Sequence, residues 1–149
     1  MTELSSALSS QAVLFRNANL VDGSSPQPRV GVHVLVEDGR IVQVSETPIE
    51  APSDARVIDL EGRTLMPGLI DCHVHVIATT ADLGANALLP DALVAARATP
   101  ILKGMLMRGF TTVRDVGGAD RGIQQAVAEG HFVGPRLVIC GKALSQTGG

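Results

Sequence analysis

The sequence predicts an α/β chain in two parts, and three observations carry that prediction. Between residues 12 and 63, short apolar runs are separated by turn residues, the pattern of a small β domain. From Thr64 onward the rhythm changes to strand, helix, strand, helix, strand, and buried apolar strands in that alternation argue for parallel βαβ units. The first strand of this second part, entered through Pro67-Gly68, ends in His73-Val74-His75.

The chain opens with a serine-rich tip over 1–11, expected to be disordered, with no positive n-region or sustained apolar stretch to make a secretory signal. Strands follow at Val13 to Phe15, Val32 to Val36, Arg40 to Val44 and Ala55 to Asp59. Asp38-Gly39 between two of them is the strongest hairpin signal, because a tight hairpin turn needs φ > 0. His33 stands alone in a strand and reads as structural.

In the second part, the first strand runs to about Val76. Pro90-Asp91 then opens a helix, since proline suits the first turn and an aspartate there favours the positive end of the dipole. Val94, Ala98, Ile101, Leu102 and Met105 lie at helical spacing and form a stripe that should pack on a sheet. Pro100 is expected to kink or break this helix, and Gly109 to cap it. Phe110 to Val116 is the second strand, Ala119 to Glu129 a short helix closing at Gly130, and Arg136 to Cys140 the third strand.

The chemistry concentrates at Leu65 to Val76. Side chains alternate faces along a strand, so Asp71, His73 and His75 should point one way and Cys72, Val74 and Val76 the other. Two imidazoles on one face, about 6.5–7 Å apart at strand rise, can converge on one cation, and neutral imidazole is a common ligand for zinc and other transition metals. The alternative is two histidines satisfied separately by hydrogen bonds. Cys72 and Cys140 read as small buried hydrophobes facing helices, since a disulfide framework needs more cysteines and a secreted setting.

Pro67-Gly68-Leu69-Ile70-Asp71-Cys72-His73-Val74-His75 resembles the first barrel strand of the amidohydrolase superfamily. Upstream, Leu14 to Gly23 and Val34 to Ile41 are similar to the opening hairpins of its small β domain. Downstream, Gly109 to Asp115, Gly134 to Leu137 and Ser145 to Gly149 look like the branch holding imidazolonepropionase-like enzymes and Xaa-Pro dipeptidases. The resemblance implies the opening strands of a (β/α)8 barrel of the TIM type over 64–149, after part of a small β-sandwich over 12–63.

It also implies metal-assisted hydrolysis of an amide-type C–N bond in a dipeptide, an N-acyl amino acid or a cyclic amide. His73 and His75 match the family's first two metal ligands, with zinc foremost among the divalent ions, one or two of them. Asp71 would support a ligand from behind, or serve only a structural hydrogen bond. Arg114 and Asp115 end the second strand, where active sites of such barrels lie, and are the catalytic candidates. They point to opposite faces, so at most one can face the barrel interior; an ion pair or a strand-end cap is the other reading. Gly141, Lys142 and Ser145 follow the third strand. Lys142 tempts a bridging role, although the family's carboxylated lysine belongs to a later strand. His131 reads as a solvated loop histidine.

A (β/α)8 barrel runs about 250 residues, so three strands imply the N-terminal third of an amidohydrolase, expected to be inactive alone. A non-catalytic, partner-binding chain and a nucleobase-type deaminase are the competing functions. Composition sets further limits. A net charge of −3 leaves no electrostatic footprint for nucleic acid or an anionic membrane, and three Phe with no Trp or Tyr leave almost no stacking platform for bases. No apolar run reaches the ~18–20 residues of a membrane span. The expectation is a cytoplasmic protein with a small-molecule amide or peptide substrate, and with a homo-oligomeric state left open.

Overall fold

The computed structural model describes residues 12–142 and 146, and divides into two compact units, Met1–Pro67 and Gly68–Gly149. The expected boundary after Arg63 moves to Pro67 because Thr64–Leu65 pairs with the first unit.

The first unit is a five-stranded sheet built from β1 (Val13–Leu20), β2 (Arg29–Glu37), β3 (Arg40–Ser45), β4 (Arg56–Asp59) and β5 (Thr64–Leu65). The strands lie in the order β3-β2-β1-β4, with β5 also on β1; β1 and β2 are antiparallel, whereas β4 and β5 run parallel to β1. Asp38 and Gly39 both take positive φ, 50° and 68°, as the tight β2–β3 turn demands. Leu14 pairs with Leu35 and Phe15 with Val34, so neighbouring pairs face opposite ways. One face accordingly buries Ala12, Leu14, Leu35 and Ile49, and the other Leu20, Val32 and Val34.

The second unit is β6 (Leu69–Val74), α1 (Leu83–Ala87), α2 (Asp91–Met107), β7 (Phe110–Asp115), α3 (Arg121–Ala128) and β8 (Arg136–Ile139). Its strands form a parallel sheet in the order β6-β7-β8, as βαβ units require. Burial in α2 falls on Val94, Ala98 and Leu102, the expected stripe. Leu102 joins Val76, Val113, Ala119, Ile123 and Leu137 in one core, with α2 packed on β7 and α3 on β8. Gly109 follows the helix at φ 94°, the left-handed position of a glycine cap.

Two expectations are corrected here. Pro100 does not divide α2, which runs through it for 17 residues. Pro100 is exposed and lacks an N–H, so the helix carries it without the backbone hydrogen bond an interior residue donates to the carbonyl four residues back. Cys72 and Cys140 are both free and exposed rather than buried against helices. Leu137 is buried and Ile139 half-buried on the helix side, which gives Cys140 the opposite parity. Cys72 is displaced by an irregularity of β6 that also shapes the site.

Candidate metal centre

The end of β6 is not a regular strand. Asp71 stands opposite Val113 and Val74 opposite Asp115, so three steps along β6 match two along β7. One extra residue is accommodated, in the manner of a β-bulge, and Cys72 and His73 share the space of a single pleat position. Both are exposed, as is His75, whereas Val74 is half-buried and Val76 fully buried. The period-two count therefore holds for Val74 and Val76 but not across the bulge.

His73 and His75 do come together. Their ring centroids lie 5.4 Å apart with the planes at 80°, edge to face. Asp71 meets them differently from the side-by-side arrangement expected: its Oδ1 accepts the backbone N–H of His73 at 3.0 Å, and its register partner Val113 is buried in the core. Asp71 thus steadies the bulge through the main chain. Arg114 supports the same bulge from β7, its Nε donating to the Cys72 carbonyl at 2.9 Å.

Nδ1 of His75 lies 3.1 Å from the Gly117 carbonyl. A carbonyl can only accept, so Nδ1 is the donor, which in the neutral ring leaves the lone pair on Nε2. This is the orientation a ligating histidine adopts when a carbonyl behind it fixes the tautomer. The donor types fit a divalent transition metal: two exposed imidazoles, one of them with its Nδ1 already engaged. Among the described residues no group of three or more His, Cys, Asp or Glu side chains that could hold a metal ion gathers, here or elsewhere.

Arg114 and Asp115 do point to opposite faces, Arg114 exposed and Asp115 wholly buried. Asp115 Oδ2 accepts the Val76 N–H at 2.7 Å, while Oδ1 accepts those of Gly117 at 3.0 Å and Ala119 at 3.2 Å. A carboxylate enclosed by three main-chain N–H groups has the geometry of the strand-end cap, the second of the two readings for Asp115. Of the remaining candidates, Lys142 is exposed and Gly141 accepts the Gly118 N–H at 2.9 Å. Ser145 and 147–149 lie outside the described residues. His131 is exposed, with Nε2 3.2 Å from Glu129 Oε2, in keeping with a surface role.

Two contributors escaped the sequence reading. Gly117 acts through its carbonyl, and its only signal was the Gly117-Gly118 turn after an apolar strand. Asn86, buried in α1, accepts from Thr79 N–H at 3.1 Å and donates to the Ile77 carbonyl at 3.1 Å, tying down the loop after the histidines. Nothing in its neighbourhood of alanines and leucines marked it.

The chain matches the Amidohydrolase family over residues 64–148. It is 43% identical over 82 residues to an imidazolonepropionase of Klebsiella pneumoniae subsp. pneumoniae, covering 52% of this chain and 19% of that protein. A solved amidohydrolase structure superposes with a TM-score of 0.88 at 53% identity, covering 93% of this chain and 33% of that one. A prolidase complexed with N-methylphosphonate-L-proline gives the same TM-score at 48% identity, covering 93% and 34%. The chain therefore spans about a fifth of the curated relative, 19%, and about a third, 33%, of the solved amidohydrolase. With the family match running through more than half of its residues, β6 and its histidine pair included, the chain belongs to the amidohydrolase family.

Proposed function

We propose that this chain provides the first two metal ligands of a hydrolase acting on amide-type C–N bonds, with zinc as the ion. The observation that carries this reading is the pairing of His73 and His75, with Nδ1 of His75 committed to the Gly117 carbonyl. A bound divalent ion supplies Lewis-acid polarisation of a carbonyl and a water of lowered pKa. Catalytic zinc takes about three protein ligands, and this chain contributes two, so by itself it is expected to hydrolyse no amide. The substrate class is a dipeptide, an N-acyl amino acid or a cyclic amide. Likeness to an imidazolonepropionase and to a prolidase holding a proline-based phosphonate supports that choice over nucleobases. Two free exposed thiols, Cys72 and Cys140, suit a reducing compartment, in line with the cytoplasm.

The test is elemental analysis of the complete enzyme, barrel closed, and of its His73→Ala/His75→Ala double variant. Stoichiometric zinc in the first and none in the second is expected; zinc surviving the double substitution would refute the assignment. Turnover of the complete enzyme on a panel of proline dipeptides, N-acyl amino acids and cyclic amides, set beside aminopurines and cytosine, decides the substrate class. Ammonia release from the nucleobases alone would overturn it.

A further inference from the structure

Asp115 is the most enclosed carboxylate of the second unit, and the hydrolytic chemistry above does not use it. Its partners are all main-chain N–H groups, and they belong to two segments far apart in sequence: Val76, directly after His75, and the Gly117–Ala119 turn after β7. The same turn presents the Gly117 carbonyl to Nδ1 of His75. One buried carboxylate therefore grips the main chain on both sides of a single imidazole hydrogen bond. We propose that Asp115 is a positioning residue that sets the tautomer of His75, and through it the metal affinity of the pair. This deepens the metal reading above and rests on it for the affinity, not for the tautomer.

The physical argument is one of alternatives. A neutral imidazole has two tautomers, and only the Nδ1–H form leaves Nε2 free for a cation. The Gly117 carbonyl selects that form only while its turn is held in place. Gly118 adopts φ +114°, where L side chains rarely go, and a Cβ there would collide with Ile77, so the turn occupies a narrow conformational niche. Without Asp115, the buried N–H groups of Val76 and Ala119 would lose their acceptor, and each unpaired buried group costs about 1–3 kcal/mol. The turn would then rearrange to find new partners, and the carbonyl would move with it.

The test begins with the unaltered chain. A long-range 1H–15N correlation spectrum of metal-free protein at about pH 8, where an ordinary histidine is neutral, should show His75 in the Nδ1–H form. Asp115→Ala should let His75 sample both tautomers and weaken zinc binding, titrated with zinc alone, by about 10–100-fold, the usual effect of removing a partner behind a ligand. Asp115→Asn keeps one acceptor oxygen, so it should lose less of both; it carries the variant arm if the alanine form does not fold. A wild-type His75 in the Nε2–H form would overturn the proposal. So would folded variants that keep both the tautomer and the zinc affinity. Failure of the unaltered protein to bind zinc, alongside a clean Nδ1–H signal, would instead overturn the metal reading and leave the tautomer assignment standing.

Discussion

Leu102→Ala should destabilise the second unit by about 3–4 kcal/mol, and the size follows from where Leu102 sits. It is fully buried among Val76, Val113, Ala119, Ile123 and Leu137. The substitution deletes three carbons, and at about 0.8 kcal/mol per buried methylene the lost transfer energy is about 2.4 kcal/mol. The remainder depends on whether the surroundings can close in. Val113 and Leu137 are held by paired strands, and Gly134 has no side chain to move; a Cβ built there would already lie 2.9 Å from the Leu102 Cβ. The hole should therefore persist, and an unfilled volume of about 50 Å3 at about 24 cal/mol per Å3 adds about 1 kcal/mol. Amide hydrogen exchange of β7, β8 and α3 reads the unit's opening free energy residue by residue. Met107→Ala is the control: that side chain is 75% exposed, and its loss should change stability by no more than about 0.5 kcal/mol. A loss below about 1 kcal/mol for Leu102→Ala would refute the account of α2 as the lid of a sealed core.

Pro100→Ala should stabilise α2, because the helix already runs through this exposed position and would regain a backbone hydrogen bond; urea denaturation should show a gain bounded by about 3 kcal/mol. Gly39→Val should weaken the first unit by roughly 1 kcal/mol or more, since a β-branched residue resists the φ of 68° there, and circular dichroism through a thermal ramp would register it. The Asn17 carboxamide, donating to both Asp59 oxygens at 2.9–3.0 Å, and then the Glu61 N–H hold the Asp59 carboxyl below its ordinary range. A depressed folded value means that this contribution to stability is present above the unfolded pKa of about 3.9 and is lost as pH falls through the folded one. Asn17→Ala should accordingly raise the Asp59 pKa in an NMR titration, and an unchanged midpoint would refute the assignment.

What could be read in advance was whatever a local pattern encodes. The Asp38-Gly39 turn has a steric cause contained in two residues, and the α2 stripe repeats with the pitch of the helix. Parallel alternation in the second part followed from apolar strands separated by helices. The histidine pairing was legible too, because His73 and His75 are two residues apart at the strand end and the bulge leaves their rings together. Cys72 was misplaced because a period-two count assumes that every residue of β6 pairs once with β7, and nothing local announces an extra one, whereas the structural hydrogen bond open to Asp71 is present, to the His73 N–H. The local half of Asp115's role, accepting the N–H groups of Gly117 and Ala119, is the strand-end cap already open as a reading, but its bond to Val76 and that of Arg114 to Cys72 reach main-chain groups 39 and 42 residues away. No composition or spacing rule can point to such a partner. Pro100 shows the opposite limit: a strong local rule was outvoted by the packing of the helix on either side of it.

The bulge at Cys72-His73 makes the histidine pair a poor candidate for transplantation. A designer who copied Asp71 to His75 onto a regular parallel strand would be grafting five residues that do not fit a regular ladder. The host would either slip the register, turning every later side chain to the wrong face, or flatten the bulge and separate the rings. Either outcome discards the spacing that brings the two imidazoles together, edge to face. The smallest portable unit includes the neighbouring strand, with Arg114 to hold the Cys72 carbonyl and the turn that carries Gly117. The motif is written in one strand but spelled by two.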